Sequence, residues 1–174
     1  YIYRNELKNK IIPKYKIIGI SSELILSKEL FKNNMRAKGL ETKCYLCGCE
    51  VEEILEAAHL WGIAEIKNSD APKLNNVLNK ECMSDLIEDC DHTNELFYKK
   101  YVLANSGDNG VWLCNNHHEL FDRKYYCFDS EFGKVIIKKD DSEIIKNYLL
   151  LSEPNCSIAS IMTEKTKVFL GERE

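Results

Sequence analysis

Between Ser21 and Gly39 the chain reads SSELILSKELFKNNMRAKG, in which Leu24, Ile25, Leu30 and Phe31 recur among polar residues at a helical period. Ser21 or Ser22 can cap the start and Gly39 can end it, so a helix is expected between them. The residues before it, YIYRNELKNKIIPKYKIIGI, mix short apolar groups with lysines around Pro13 and predict one or two short strands or an irregular arm. Downstream, VEEILEAAHLWGI is apolar and partly β-branched, which suits a strand carrying His59. From 63 to 108 the pattern turns polar and acidic, with one short helix expected around NELFYKKYVLA, so the stretch reads as an insertion. GDNG then marks a turn, VWLC a short strand, and NNHHELFDRK a helix whose N-cap would be Asn115 or Asn116. KYYCFDSEFGKVIIKK reads as a hairpin and SEIIKNYLLLSE as a closing helix or strand. The order predicts an α+β protein: an N-terminal extension (1–43), a core (44–138) with the insertion at about 63–108, and a C-terminal extension (139–174).

Composition narrows this picture only modestly. A hydrophobic share of 44% and a charged share of 30% are those of an ordinary globular domain. No apolar run approaches the ~18 residues that a membrane span needs, so no membrane partner is expected. No charged, then apolar, then small-residue leader opens the chain, and a start at Tyr1 instead of Met leads us to expect part of a larger polypeptide. Without a leader, the eight cysteines point to a reduced, cytoplasmic setting and to metal binding in preference to disulfides. The net charge of -4 argues against a uniformly cationic sleeve for nucleic acid. Its distribution says more: residues 1–49 hold ten Lys and Arg against four Asp and Glu, whereas residues 50–108 hold five against thirteen. A polyanion is therefore expected to lie against the N-terminal third.

Cys44-x-x-Cys47 and Cys114-x-x-His117 are two half-sites with the spacing that lets paired ligands grip one tetrahedral zinc. Cys49 is an alternative to Cys47, because CYLCGC offers three thiols within six residues, while Cys82, Cys90, Cys127 and Cys156 lack partners at ligand spacing. Such a zinc would join segments about 70 residues apart and explain one of the two adjacent histidines. It leaves His118, His59, Asn109 and Asp122. On a helix His118 and Asp122 stand at i and i+4, share a face, and can both reach a single divalent cation. An imidazole and a carboxylate leave positions open for phosphate and water.

The ordered pieces LEAAHL and NGVWLCNNHHELFD, with CYLC upstream, resemble the HNH nucleases of the ββα-metal fold in their zinc-stabilised branch. The resemblance spans residues 44 to about 136 and implies an endonuclease that hydrolyses DNA phosphodiester bonds. It places the general base on His59, the middle asparagine on Asn109, the last metal-binding histidine on His118 and the second helical metal position on Asp122. It implies a catalytic magnesium or manganese ion beside the structural zinc, double-stranded DNA as substrate, a possible homodimer, and a role in restriction or defence against foreign DNA. Arg36, Lys38 and Lys43 are the candidate phosphate contacts in the basic extension. Ala58 stands where many members carry another metal ligand immediately before the base, so the cation would have two protein side chains, completed by water or Asn109. The rival expectations are a noncatalytic zinc module that binds nucleic acid or protein, and an effector domain switched on by another domain. The first has no need for His59, Asn109 and His118 together.

Overall fold

The computed structural model describes residues 28–87, 96–138, 143–151 and 157–173, with the side chains of 150 and 151 excepted. The predicted arm, Ser21, Ser22, Leu24, Ile25, His92, Cys90 and Cys156 lie outside the described residues. Within them the architecture is α+β, as expected from the pattern: seven helices, several 3-10 turns and two antiparallel two-stranded sheets.

Helix α1 (Lys28–Ala37) presents Leu30, Phe31 and Met35 to the interior, the i, i+1, i+5 spacing that brings one side of a helix onto a core. It stops before Gly39, whose φ of 79 is the left-handed turn a glycine accommodates, with its N–H on the Arg36 carbonyl at 2.9 Å. Strand β1 (Leu55–His59) pairs with β2 (Gly110–Cys114) in the register Leu55 to Cys114, Ala57 to Trp112 and His59 to Gly110. Helix α5 (Asn115–Asp122) leaves directly from β2. The hairpin predicted at 124–139 is β3 (Tyr126–Phe128) paired with β4 (Val135–Ile137), and the closing segment is helix α6 (Glu143–Leu151).

The stretch between the paired strands is more ordered than its polarity suggests. It forms α2 (Ile63–Asn68), α3 (Ala71–Leu78), a 3-10 turn over Glu81–Leu86 and α4 (Leu96–Asn105), and it sends Ile66, Leu74, Val77, Leu78 and Met83 into the central core. Leu74, Val77 and Leu78 follow i, i+3, i+4, a helical face diluted by the polar residues between them. Asp70 caps α3 by accepting from the Lys73 N–H at 2.9 Å, with Pro72 in the first turn. A last helix, α7 (Glu164–Glu172), was not expected; Thr163 caps it, and Thr166, Phe169 and Leu170 are buried.

Asn109 ties these parts together. Its side-chain oxygen accepts from the Trp61 N–H at 2.7 Å, while its amide nitrogen donates to the carbonyls of Trp61 and Leu103. Its own carbonyl accepts from the Leu60 N–H at 2.8 Å. The residue is wholly buried, so the turn before β2 is bolted to the chain leaving β1. Next to it, Gly110 lets α1 come close: a Cβ there would lie 2.6 Å from Met35 Sδ and 2.9 Å from Phe31 Cζ. Gly110→Ala is therefore expected to lower the unfolding free energy by about 1–3 kcal/mol in urea titrations, the cost of overpacking a filled core. An unchanged midpoint would mean that α1 yields freely and is not held against the strand pair.

Candidate functional site

Cys44 and Cys47 belong to a tight turn in which the Cys44 N–H donates to the Cys49 carbonyl and the Gly48 N–H to the Cys44 carbonyl, both at 2.8 Å. The turn is fastened to β2 by the Tyr45 N–H on the Trp112 carbonyl at 3.0 Å. This brings Cys44, Cys47, Cys114 and His117 together, with one ligand atom from each lying within 4.8 Å of the others. The separations are 3.4 Å from Cys44 Sγ to His117 Nδ1, 3.2 Å from Cys114 Sγ to the same nitrogen, and 3.9 Å from Cys47 Sγ to Cys114 Sγ. A tetrahedral ion bound at ordinary Zn–S and Zn–N lengths needs edges of about 3.5–3.8 Å, and these three separations lie within a few tenths of an ångström of that range, so the cluster could hold zinc. Cys47, and not Cys49, completes the quartet; Cys49 supplies its backbone carbonyl instead. Burial pushes the Cys44 thiol up, yet His117 and the surrounding backbone N–H groups outweigh it and bring it down to about 6. The Cys47 thiol is pushed up to about 12, first by burial, which the Cys49 backbone N–H offsets only in part, and then by the neighbouring Cys44 and Cys114 sulfurs.

The same geometry corrects the expected start of α5. Its N-cap is Cys114, which makes no side-chain cap bond, and not Asn115 or Asn116. The Cys114 sulfur is committed to the cluster, so the helix is started by the ligand turn and not by an asparagine.

A cleft of about 670 Å³ opens on the other side of α5. His59 from β1, His118 and Asp122 from α5, and Glu56 from β1 line it, together with Lys28 and Lys32 from α1, Lys124 and Arg173. His118 and Asp122 are brought together as their spacing predicts, Nε2 to Oδ2 at 3.3 Å. The other ring nitrogen, Nδ1, lies against Glu56 Oε2. A carboxylate can only accept, so Nδ1 carries the proton and, in a neutral ring, Nε2 presents its lone pair to Asp122. Two acceptors side by side call for a proton or a cation between them. Their 3.3 Å separation is close to the ~3.0 Å edge between neighbouring ligands of a small octahedral ion, so the donor set fits a hard divalent cation. Glu56 thereby fixes which nitrogen of His118 is left facing Asp122.

His59 lies flat on Phe31, with ring centroids 3.8 Å apart and planes 10° apart, and its Nε2 meets the Ala104 carbonyl at 3.0 Å. A carbonyl likewise only accepts, so Nε2 carries the proton and Nδ1 is the basic nitrogen. Burial is the main cause that pulls its pKa down to about 4, with the Arg173 charge adding to it and the Ala104 bond opposing it. The ring is neutral at physiological pH. Ala58 faces the core with no exposed surface, so the position before His59 contributes nothing to the cleft. Asn109 also stays out of it: its amide is spent on backbone groups, which makes it a brace for the strand ends and leaves no atom for a cation.

The three expected phosphate contacts stand apart from this cleft, and each has an acidic partner. Arg36 pairs with Glu52 at 3.7 Å and lies 5.3 Å over the Trp112 ring; Lys38 pairs with Asp108 at 2.9 Å; Lys43 pairs with Glu41. Lys28 and Lys32, one turn apart on α1, line the cleft, and neither has a carboxylate partner among the described residues. Glu56 and Arg173 also escaped the sequence reading. Glu56 had a visible signal, a lone acid inside the apolar run ILEAAHL, whereas Arg173 lies fifty residues past the motif and had none.

Comparison with known proteins agrees with this geometry. The family model described as HNH endonuclease matches residues 44–129, the span from the first cysteine of the quartet to just past β3, so that segment is similar to the family. No curated protein and no solved structure gives a match. No helix among the described residues is long and apolar enough to cross a membrane.

Two measurements follow from the opposed histidines and from His59. His117→Ala is expected to lose bound zinc and cooperative unfolding, and His118→Ala to keep one zinc and a wild-type melting temperature; metal analysis with calorimetry decides, and the reverse outcome would exchange their roles. The unfolded chain takes up a proton on His59 near pH ~6.5 whereas the folded protein resists until about 4. Its contribution to stability is thus whole above that upper value and lost as the pH falls through the window. Urea unfolding from pH 7 to 4.5 should show a shallower decline for His59→Gln than for wild type, and parallel curves would place His59 in water.

Proposed function

We propose that this protein is a metal-dependent endonuclease that hydrolyses phosphodiester bonds of double-stranded DNA, with the cleft between β1, α1 and α5 as its active site. The observation that carries this reading is the meeting, in one cleft, of a neutral histidine with a fixed tautomer and a histidine–aspartate pair whose adjacent acceptors suit a divalent cation. The similarity of residues 44–129 to the HNH endonuclease family supports the same assignment.

In this mechanism His59 is the general base. Its protonated Nε2 is anchored on the Ala104 carbonyl, so Nδ1 takes a proton from water, and the lowered pKa keeps it available in mildly acidic solution. His118 Nε2 and Asp122 would hold the catalytic magnesium or manganese, and Glu56 holds the His118 ring. Such a cation supplies charge neutralisation at the scissile phosphate and its leaving oxygen. Asn109 fixes the chain on either side of His59 and so is a positioning residue. Lys28, Lys32 and Lys124 line the cleft as the first phosphate contacts, with Arg36, Lys38 and Lys43 as outer ones reached only by giving up an acidic partner. Cys44, Cys47, Cys114 and His117 hold the structural zinc away from the chemistry. Defence against foreign DNA is the biological role that the sequence resemblance implies, and cells carrying the protein would then lose unprotected plasmid.

Plasmid nicking with magnesium or manganese tests the assignment. Wild type should convert supercoiled DNA to nicked or linear forms, and His59→Ala should reduce the rate by about 10²–10⁴-fold, the usual worth of a general base. Salt-dependent DNA binding without cleavage under any divalent cation would favour the noncatalytic module. Lys28→Ala with Lys32→Ala should weaken DNA binding and flatten its salt dependence by up to about two phosphate contacts.

A further inference from the structure

The reading of the cleft leaves one charged side chain unexplained. Arg173 follows the end of α7, far in sequence from the motif, and its side chain is only 10% exposed. Its Nη1 donates to the carbonyls of His59 (2.9 Å) and Leu60 (3.3 Å), at the end of β1. Its Nη2 donates to the Phe121 carbonyl (3.1 Å) and lies 3.7 Å from Asp122 Oδ1, in the last turn of α5. The guanidinium also stacks on the Phe121 ring, 3.7 Å from its centroid. One planar group thus touches both halves of the cleft: the backbone of the residue read as base and the side chain of a residue read as cation ligand.

We propose that Arg173 is a positioning residue that sets the distance between His59 on β1 and the His118–Asp122 pair on α5. This rests on the reading of the cleft given above. The donor inventory argues against the simpler idea of a phosphate contact. A guanidinium has four N–H bonds on its two terminal nitrogens, and three carbonyls and one carboxylate already face them. A substrate phosphate would have to displace backbone contacts that stay fixed with the fold. The lever arm is rigid. α7 is seated by Phe169 and Leu170 in the core, by Thr163 Oγ1 donating to Asp108 at 3.0 Å, and by Glu172 paired with Lys80 at 3.3 Å. Lysine cannot replace the residue, because a single ammonium lacks the fork that spans two elements. The C-terminal segment, outside the matched residues 44–129, is by this account part of the working site.

The test compares wild type with Arg173→Met and Arg173→Lys in the full chain, reading zinc content, melting temperature, Mn²⁺ affinity by calorimetry, and kcat and KM on a duplex oligonucleotide. Both variants should keep zinc, bind Mn²⁺ about 10-fold more weakly or worse, and lose about 100-fold in kcat at nearly unchanged KM, as a misplaced reacting group does. In a third variant, Arg173→Ala, added guanidinium ion at millimolar concentration should restore part of kcat. A loss confined to KM would make Arg173 a substrate contact, and a wild-type kcat and Mn²⁺ affinity in Arg173→Lys would overturn the proposal. If Arg173→Met fails to fold, the lysine variant decides alone. An inactive wild type would sink the endonuclease reading, whereas the Mn²⁺ comparison would still judge Arg173.

Discussion

His117 and His118 are neighbours on one helix, so their side chains leave its axis about 100° apart and cannot serve the same ion. Everything in the site depends on which one is captured. His117 is wholly buried against three sulfurs, which forces His118 outward into the cleft, and Asp122, one turn further along, follows it. The quartet therefore does more than close a loop: by gripping the first turn of α5 it sets the rotation of the helix about its own axis. Tyr126 reinforces that setting by donating its hydroxyl to the His117 carbonyl at 2.9 Å.

The opposite wall is set by backbone bonds instead of metal. β1 ends at His59, and the groups just beyond it are held by Asn109 from one side and Arg173 from the other. α1 lies against Gly110, directly across the register from His59, and covers the imidazole with Phe31. That cover explains how a histidine can line a cleft and yet be too poorly solvated to hold a proton. Desolvation of His59 and placement of the Lys28 and Lys32 charges are two consequences of one helix-to-strand contact.

The zinc quartet was legible because each half-site is local: two residues between ligands, readable without tertiary knowledge. His118 and Asp122 were legible for the same reason, through the i, i+4 rule, and the α+β class through the succession of strand and helix patterns. Glu56 lay inside the quoted motif, but only the structure shows that it reaches across to His118 Nδ1. Arg173, Lys28 and Lys32 enter the cleft through packing of segments distant in sequence, which no periodicity announces. Between the strands the helix around NELFYKKYVLA was legible, whereas α2 and α3 were hidden by polar residues such as Asn75 and Asn76 that dilute Leu74, Val77 and Leu78, and α7 by a short apolar stretch with a single capping threonine. The choice of Cys114 over an asparagine as N-cap shows ligand geometry overriding local preference.

The central claim is that two adjacent histidines serve two separate metal centres. It is tested most directly by anomalous diffraction from crystals of the zinc-containing protein soaked in manganese. The account predicts a zinc signal among Cys44, Cys47, Cys114 and His117, and a distinct manganese signal in the cleft bound through His118 Nε2 and Asp122. A single ion taking both His117 and His118, or manganese that never enters the cleft, would contradict it.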